Sequence, residues 1–267
     1  MAKDILQTIA DYKRCQVEAE SRLIDEANLA KMAADIDSPI PSMSEAIVSH
    51  PVAGIIAEFK RRSPSKGEIS PMADPSVIVP AYSKGGAAAS SVLTDTPFFG
   101  GSISDLALAR MAAPSLPLLR KDFIISTYQI YQARIFGAST ILLIAAILSR
   151  REIESYIDLA HDLGMQTLLE LHDESELSRL SPRTDMIGVN NRNLASFHTD
   201  ISQSARMIST LPPSSVKIAE SGVTDPAQVV RLRTLGFNGF LIGEHFMRQP
   251  DPELALKDFL NAVSSQL

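Results

Sequence analysis

The stretch ILLIAAILSRREIESYIDLAHDLGMQTLLE, residues 141–170, contains the pattern that decides the fold. It opens with a short apolar run, residues 141–144, that predicts a buried strand, and it continues with a helical pattern over residues 151–163. A second apolar run begins at Gln166. Strands that alternate with helices in this way form βαβ units, so the stretch predicts two strands of a parallel sheet.

The same alternation runs along most of the chain. Apolar runs predict strands at residues 55–59, 88–93, 116–119, 141–144, 166–169, 186–189, 216–219 and 239–242. Helical patterns follow at residues 75–85, 106–112, 127–136, 151–163, 174–180, 200–209, 225–235 and 253–263. Eight such units in about 220 residues predict an α/β fold of the (β/α)8 TIM-barrel class. A doubly wound sheet is the alternative, but no Gly-x-Gly-x-x-Gly motif follows the first run to support it.

The segment before the first strand has a different pattern. Residues 3–33 are polar with a helical period, residues 37–41 break that pattern, and Ser42 with Glu45 forms a capping-box pattern that opens a short helix. We therefore expect an N-terminal helical extension over residues 1–45 and a catalytic barrel over residues 46–267, in a single domain. The extension is expected to cover one end of the barrel.

The composition excludes several classes of protein. The chain has 267 residues, of which 45% are hydrophobic, and this is enough for one large core. A net charge of −6 and a pI near 5.4 argue against a nucleic-acid partner. The longest apolar run, residues 141–148, is too short to span a bilayer, and the N-terminus lacks the apolar segment of a signal peptide. Because Cys15 is the single cysteine, we expect a cytoplasmic protein with no membrane partner.

Charged and amide side chains recur where the predicted strands end. These ends carry Glu58 and Lys60, Thr94 and Asp95, Arg120 with Lys121 and Asp122, Glu170, Asn190 with Asn191 and Arg192, Glu220 with Ser221, and Glu244. In a TIM barrel they meet at the mouth that holds the active site. Buried lysines and glutamates are costly unless they are paired, so we expect these groups to neutralise one another and to shift one another's pKa values. Such shifts are typical of acid–base catalysis.

Several of these residues also have a purely structural interpretation. Lys121 could pair with Asp122, Glu170 could be solvated at the rim, Asn190 could be a turn residue, and Arg192 could be a surface cation. These alternatives stay open at the level of sequence.

Two glycines predict where a phosphate group binds. Gly222 follows the seventh predicted strand, and Gly243 follows the eighth, next to Glu244. Loops after these two strands commonly bind phosphate through backbone N–H groups, and glycine lets the backbone approach the anion closely. The basic loop after the first strand adds Lys60 and Ser63.

The residues alone thus predict a barrel enzyme that acts on a small phosphorylated substrate by lysine and glutamate acid–base chemistry. The spacing of His, Cys and Asp residues does not suggest a metal site, and no cofactor is expected. His172, two residues after Glu170, is a further candidate for the mouth.

Nine motifs in order resemble the indole-3-glycerol phosphate synthase family. They are AEFKRRSPSKG (57–67), LTDTPFFGGS (93–102), LLRKDFI (118–124), YQIYQAR (128–134), LLIAAIL (142–148), LLELHD (168–173), GVNNRNL (188–194), AESGV (219–223) and LIGEHFM (241–247). The resemblance covers residues 50 to 250, and the N-terminal helices also fit the family. It implies conversion of 1-(2-carboxyphenylamino)-1-deoxyribulose 5-phosphate to indole-3-glycerol phosphate, carbon dioxide and water, a step of tryptophan biosynthesis. We also expect a monomer that associates weakly at most with other enzymes of that pathway.

The resemblance assigns roles to individual residues. It implies that Lys121 is the acid for ring closure, and that Lys60 holds the substrate carboxylate and acts as acid in dehydration. Glu58 and Glu170 assist the proton transfers, Asn190 and Arg192 orient hydroxyls, and Glu220 and Ser221 line the site. Phe99, Phe123, Leu142 and Leu194 form the apolar wall around the aromatic ring, and Ser63, Gly222 and Gly243 lie near the phosphate. Because a carboxylate that faced the phosphate would be repelled, we expect the Glu244 side chain to turn outward.

Two positions depart from the expected family pattern. Asn193 stands where an aspartate is expected, which removes a charge partner for Arg192, and His245-Phe246 stand where smaller residues are expected. The alternatives are another phosphosugar barrel enzyme of the same pathway, such as phosphoribosylanthranilate isomerase, and a non-catalytic phosphosugar-binding protein. The isomerase is expected to use a cysteine, and no cysteine lies at a predicted strand end.

Overall fold

Eight parallel strands form the centre of the protein in a computed structural model that describes residues 5–193 and 198–267. The strands are β1 (Gly54–Phe59), β2 (Ala89–Leu93), β3 (Leu118–Lys121), β4 (Thr140–Ile144), β5 (Gln166–Leu171), β6 (Met186–Asn190), β7 (Val216–Glu220) and β8 (Gly239–Ile242). Each strand pairs with the next, and β8 pairs with β1 to close the barrel. The predicted (β/α)8 TIM barrel is confirmed, and the doubly wound alternative is wrong.

The helices follow the predicted alternation. They are α1 (Ile5–Ser21), α2 (Glu26–Ala34), α3 (Met43–Val48), α4 (Pro75–Gly85), α5 (Thr96–Phe99), α6 (Ile103–Ala112), α7 (Thr127–Ile135), α8 (Arg150–Asp162), α9 (Ser202–Met207), α10 (Pro226–Leu235), α11 (Glu244–Met247) and α12 (Pro252–Ser264). Turns of 3₁₀-helix occupy Ala145–Ile147, Glu174–Arg179 and Ile208–Thr210. Within the described residues, no helix has both the length and the apolar character needed to cross a membrane.

Three details differ from the sequence-based expectations. The third strand begins at Leu118 rather than at residue 116, because Pro117 has no N–H to donate to a strand ladder, and it continues to Lys121. The predicted helix over residues 174–180 is a 3₁₀-helix. The loop after β1 also contains a small hairpin, Arg62–Ser63 paired with Gly67–Glu68, that was not predicted.

Side chains alternate between the two faces of every barrel strand, and this alternation positions the site. In β1, Ile56 packs inside the barrel, whereas Ile55 and Phe59 pack against the surrounding helices. Glu58 shares the inward face with Ile56, one step closer to the C-terminal end. The aliphatic interior therefore gives way to a charged layer at the mouth.

The N-terminal extension contacts both ends of the barrel. Leu6 and Ile9 of α1 line the pocket at the C-terminal mouth. Met43 and Ile47 of α3 belong to the same interior cluster but close the opposite end, where a β-carbon on Gly54 would collide with Ile47. We expected the extension to cover one end, and it covers both. The division at residue 45 falls inside α3 and stays a prediction.

One buried lysine links α1 to the barrel through ion pairs. Lys13 is 1% exposed, and its Nζ lies 3.0 Å from Asp95 Oδ2 and 2.8 Å from Asp122 Oδ1. Asp122 also contacts Arg120, with Nη2 to Oδ2 at 3.0 Å. Burial raises the pKa of Asp122, but Lys13 and Arg120 outweigh it and lower this pKa to about 2. The loops after β2 and β3 are thus tied to one helix through two buried cations and two carboxylates.

Candidate active site

A pocket of about 560 Å³ opens at the C-terminal mouth of the barrel. Its lining includes the predicted site residues Glu58, Lys60, Ser63, Phe99, Lys121, Phe123, Leu142, Glu170, Asn190, Arg192, Ser221, Gly222, Gly243 and Glu244. Glu220 is fully buried beside Lys121 at the floor of this pocket. Leu194 lies outside the described residues. The volume suits a small-molecule ligand.

Lys121 is the centre of the charged layer. Its Nζ lies 3.3 Å from Glu220 Oε2, 3.6 Å from Glu170 Oε2 and 3.9 Å from Glu58 Oε2. Burial opposes protonation, but these three carboxylates outweigh it and raise the pKa of the Lys121 ammonium well above its usual range. The lysine is therefore held as a cation until a strong base accepts its proton.

A second lysine forms a closer pair. Lys60 Nζ donates to Glu58 Oε1 at 2.5 Å, and both residues follow the inward face of β1. Burial alone would raise the pKa of Glu58, but Lys60 and Lys121 together lower it. Glu58 is therefore ionised, and a proton can pass between the two partners through one hydrogen bond.

Glu170 and Glu220 flank Lys121, but their pKa values shift in opposite directions. Glu170 has a lowered pKa because the attraction of Lys121 and His172 outweighs its burial. Burial raises the pKa of Glu220 to about 8, and the nearby Glu170 charge adds to this rise against the attraction of Lys121. Among the described residues, Glu220 Oε1 has no hydrogen-bond partner. Gly188 makes room for this oxygen, since a β-carbon there would overlap it.

An apolar wall lies on one side of the charged layer. The rings of Phe99 and Phe123 are 6.0 Å apart, and Leu142 lies beside them in the pocket lining. Leu6 and Ile9 of α1 complete the wall, and these two residues were not predicted as part of the site. A flat aromatic ring fits such a surface.

The opposite side of the pocket is polar. Arg192 donates from its guanidinium to the Ser65 hydroxyl in the loop after β1, so the guanidinium has a partner even though Asn193 replaces the expected aspartate. Ser221 has φ of +65°, and Gly222 has φ of +78°. Ser221 is the single non-glycine residue with positive φ among the described residues, a backbone strain that is typical of functional sites.

The Glu244 carboxylate lies in the pocket lining and contacts two cations. Its Oε1 accepts from Arg248 Nε at 3.0 Å, and its Oε2 lies 3.8 Å from Lys66 Nζ of the loop after β1. A β-carbon on Gly243 would overlap Glu58 Oε1, so glycine at this position leaves room for the Glu58 carboxylate. Phe246 is buried in the core against Phe259, away from the rim.

The contacts of the charged residues differ from those that the purely structural interpretations would give. Asp122 binds Lys13 and Arg120 rather than Lys121. Glu170 is 3% exposed and is not a solvated rim residue. Asn190 lies in the pocket lining, although its Oδ1 also accepts from the Arg192 N–H at 3.0 Å as a turn residue would.

One buried charged group near the site, Lys13, was not predicted from the sequence. Lys13 lies on the buried stripe of α1 that Leu6, Ile9 and Ala10 define, and its place on that stripe was the available signal. His172 was named only as a weak candidate, and its Nε2 lies 3.0 Å from Glu170 Oε1. His172 lies two residues after Glu170 of β5, so both side chains point to the inward face, and this spacing was visible in the sequence.

Comparison with known proteins points to one family. The sequence model of the family described as indole-3-glycerol phosphate synthase matches residues 6–259. The indole-3-glycerol phosphate synthase of Bacteroides thetaiotaomicron is 48% identical over 261 residues, which cover 98% of this chain and 99% of the relative. That of Neisseria meningitidis serogroup B is 44% identical, with 94% and 96% covered.

The chain belongs to the indole-3-glycerol phosphate synthase family. It is therefore a carboxy-lyase of tryptophan biosynthesis, and the resemblance of its nine motifs is confirmed. The isomerase of the same pathway is not supported as an alternative.

Solved structures resemble this family member in fold alone. The 3-hexulose-6-phosphate synthase of Salmonella typhimurium has a TM-score of 0.63 at 13% identity and covers 80% of this chain and 100% of its own. The tryptophan synthase subunit alpha of Legionella pneumophila has a TM-score of 0.59 at 12% identity, with 84% and 98% covered.

Proposed function

We propose that this family member closes the indole ring with Lys121 as the general acid. The substrate is 1-(2-carboxyphenylamino)-1-deoxyribulose 5-phosphate, and the products are indole-3-glycerol phosphate, carbon dioxide and water. The observation that supports this role is the place of the Lys121 ammonium, which lies 3.3 Å to 3.9 Å from three carboxylates and beside an apolar wall.

In the first step, the ring carbon that carries the substrate carboxylate attacks the ribulose carbonyl. A carbon–carbon bond forms, the π electrons of the carbonyl move to its oxygen, and Lys121 donates a proton to that oxygen. The ionised carboxylates of Glu170 and Glu58 keep the lysine charged beforehand. The forming alkoxide is a strong enough base to accept the proton even from this stabilised ammonium.

The second and third steps restore aromaticity. The bond to the carboxylate breaks, carbon dioxide leaves, and the bonding electrons return to the benzene ring. The new hydroxyl then leaves as water after it receives a proton from Lys60, and a carboxylate removes a proton from the adjacent carbon. Glu58 and Glu170 are the candidates for this base, and their charges also stabilise the anilino nitrogen as it becomes positive.

Binding groups surround the reacting atoms. We assign the aromatic ring to the wall of Phe99, Phe123, Leu142, Leu194 and the α1 side chains, and the substrate carboxylate to Lys60. Asn190, Arg192 and Ser221 orient the sugar hydroxyls. Ser63, Gly222 and the backbone N–H groups after Gly243 hold the phosphate. We also infer a cytoplasmic monomer that associates weakly at most with other enzymes of the pathway.

Replacement of Lys121 tests the proposal. Lys121→Ala should lower turnover by ~10²–10⁴-fold with the fold intact, because loss of a positioned general acid has that effect. Indole fluorescence reports product directly, since the chain has no tryptophan background. Lys257→Met, which removes an exposed lysine of α12, is the matched control. Turnover of Lys121→Ala within tenfold of the wild type would remove Lys121 from the mechanism.

A further inference from the structure

His172 is a buried imidazole directly beside a catalytic carboxylate. Its ring is 12% exposed, and Nε2 lies 3.0 Å from Glu170 Oε1. This oxygen is the one that does not face Lys121, whose Nζ lies nearest to Glu170 Oε2. Glu170 is therefore held between two nitrogen cations, one at each oxygen.

A second carboxylate holds the imidazole from its other side. Glu176, on the 3₁₀-helix after β5, places Oε2 3.7 Å from His172 Nδ1, and the same oxygen accepts from the His172 backbone N–H at 2.7 Å. Gln203 of α9 donates to the His172 carbonyl oxygen. The ring nitrogens form ion pairs without well-directed hydrogen bonds, so charge rather than hydrogen-bond geometry dominates the contact.

The groups around the imidazole favour its protonated form. Glu170 on β5 and Glu176 on the 3₁₀-helix are the charged groups that face it among the described residues, and Gln203 is uncharged. Burial lowers the pKa of His172, but the two carboxylates outweigh this and raise it to about 10.

Glu170 and Glu220 differ in their partners. Glu170 has Lys121 and His172 within 3.6 Å, whereas Glu220 has Lys121 at 3.3 Å and one oxygen without a hydrogen-bond partner in the described structure. Two close carboxylates in a buried site cannot ionise equally, and the one with more cationic partners loses its proton first.

We propose that His172 is a positioning residue whose imidazolium keeps Glu170 ionised and aimed at the substrate, so that the exchangeable proton of the carboxylate pair resides on Glu220. This inference rests on the proposed function, in which Glu170 acts as a carboxylate base. Glu176 acts on Glu170 only indirectly, because it keeps the His172 imidazole charged.

The acidic limb of the pH–rate profile tests this role. In His172→Gln, Glu170 loses a cationic partner and needs a higher pH to ionise, so the acidic limb of kcat should move upward by at least one pH unit. At a fixed pH on the acidic limb, kcat should fall about tenfold while KM stays within threefold. His161→Gln is the matched control, because His161 pairs with Asp185 on the outside of the barrel. An unmoved acidic limb, or an equal loss at every pH, would overturn the proposal.

Imidazole titration by NMR supplies a readout that does not depend on activity. The chain has five histidines, so the resonance missing from His172→Gln identifies His172 in the wild-type spectrum. We expect that imidazole to stay protonated at pH 8 in the wild type and to titrate at lower pH in Glu176→Gln. A neutral His172 at pH 8 overturns the inference even if the variants fold poorly. Absence of indole product from the wild type would instead overturn the proposed function.

Discussion

Glu220 and Glu58 show at the residue scale how surroundings divide chemically identical groups. Glu58 has Lys60 at 2.5 Å and a lowered pKa, whereas burial raises the pKa of Glu220 to about 8. Groups whose pKa values are pushed apart take different parts in proton transfer. Glu58 is suited to accept protons, and Glu220 is suited to carry one at neutral pH.

Glu220→Gln tests the protonated state of this carboxyl. Below pH 8 Glu220 is neutral, and above pH 8 it ionises and adds a negative charge 3.3 Å from the Lys121 ammonium. That charge makes Lys121 a weaker acid, so wild-type kcat should fall as the pH rises through about 8. Glutamine imitates the neutral carboxyl, and the decline should disappear from the measured pH–rate profile. A variant that keeps the wild-type decline would assign it to another group.

Glu244→Ser tests whether this side chain contacts the phosphate group of the substrate at the proposed phosphate site. Because the Glu244 side chain is engaged by Arg248 and Lys66, its loss should change kcat/KM by less than about tenfold, or ~1.4 kcal/mol. Ser63→Ala should raise KM for the phosphorylated substrate more strongly. Substitution of Gly243 cannot replace that comparison, because any side chain there collides with Glu58. A loss above a hundredfold in Glu244→Ser would show that its side chain binds the substrate.

At the scale of elements, α1 both lines the pocket and forms buried ion pairs with the barrel. Leu6 and Ile9 face the pocket, and Lys13 reaches the loops after β2 and β3. Those loops also carry the aromatic wall, since Asp95 caps α5, which ends at Phe99, and Phe123 directly follows Asp122. The position of the helix and the position of the wall are therefore linked.

Lys13→Met should weaken substrate binding more than chemistry. Removal of the ammonium leaves the aspartates near it partly unpaired, and loss of one partner of a buried pair costs about 3–5 kcal/mol. We expect KM to rise about tenfold, with kcat within threefold, because Lys121 stays in place. Steady-state kinetics and urea unfolding measure the two effects, and Lys31→Met on the exposed face of α2 is the control. An unchanged KM with lowered stability would make Lys13 purely structural.

The elements themselves were largely predictable from apolar runs. Strands buried on both faces, such as Thr140–Ile144, are continuous apolar segments. The predicted bounds of α4 agree with the structure, in which Asp74 caps the helix and Gly86 ends it. The hairpin after β1 was not predictable, because its two-residue strands contain no apolar run. Tertiary contacts rather than local preference form such short elements.

The site was predictable where it follows strand ends and unpredictable where it depends on distant segments. Glu58, Lys121 and Glu170 project from the ends of strands, and that end of a barrel is always the mouth. The opposed pKa shifts of Glu170 and Glu220 depend on three-dimensional distances to the same lysine, which spacing along the chain does not give.

For the whole molecule, the buried cluster around Asp122 predicts the response to acid. Its pKa is about 2 in the folded protein against an ordinary value of 3.8, so its contribution to stability is present above pH 3.8 and is lost as the pH falls through about 2. The difference in free energy of unfolding between wild type and Asp122→Asn should therefore shrink below pH 4. Urea unfolding at pH 7, 5, 4 and 3 measures it, with exposed Asp258→Asn as the control. A difference that grows in acid would contradict this assignment.

Because the N-terminal helices contact both ends of the barrel, they cannot complete their packing early in synthesis. Ile47 leaves the ribosome early, but the surface it packs against includes Gly239 at the start of the last strand. About 190 residues separate the two, which takes roughly 10–40 s at ~5–20 residues per second. During that time Leu6 and Ile9 have no barrel mouth to cover. The first helices to be translated therefore reach their final positions only when β8 has joined β1.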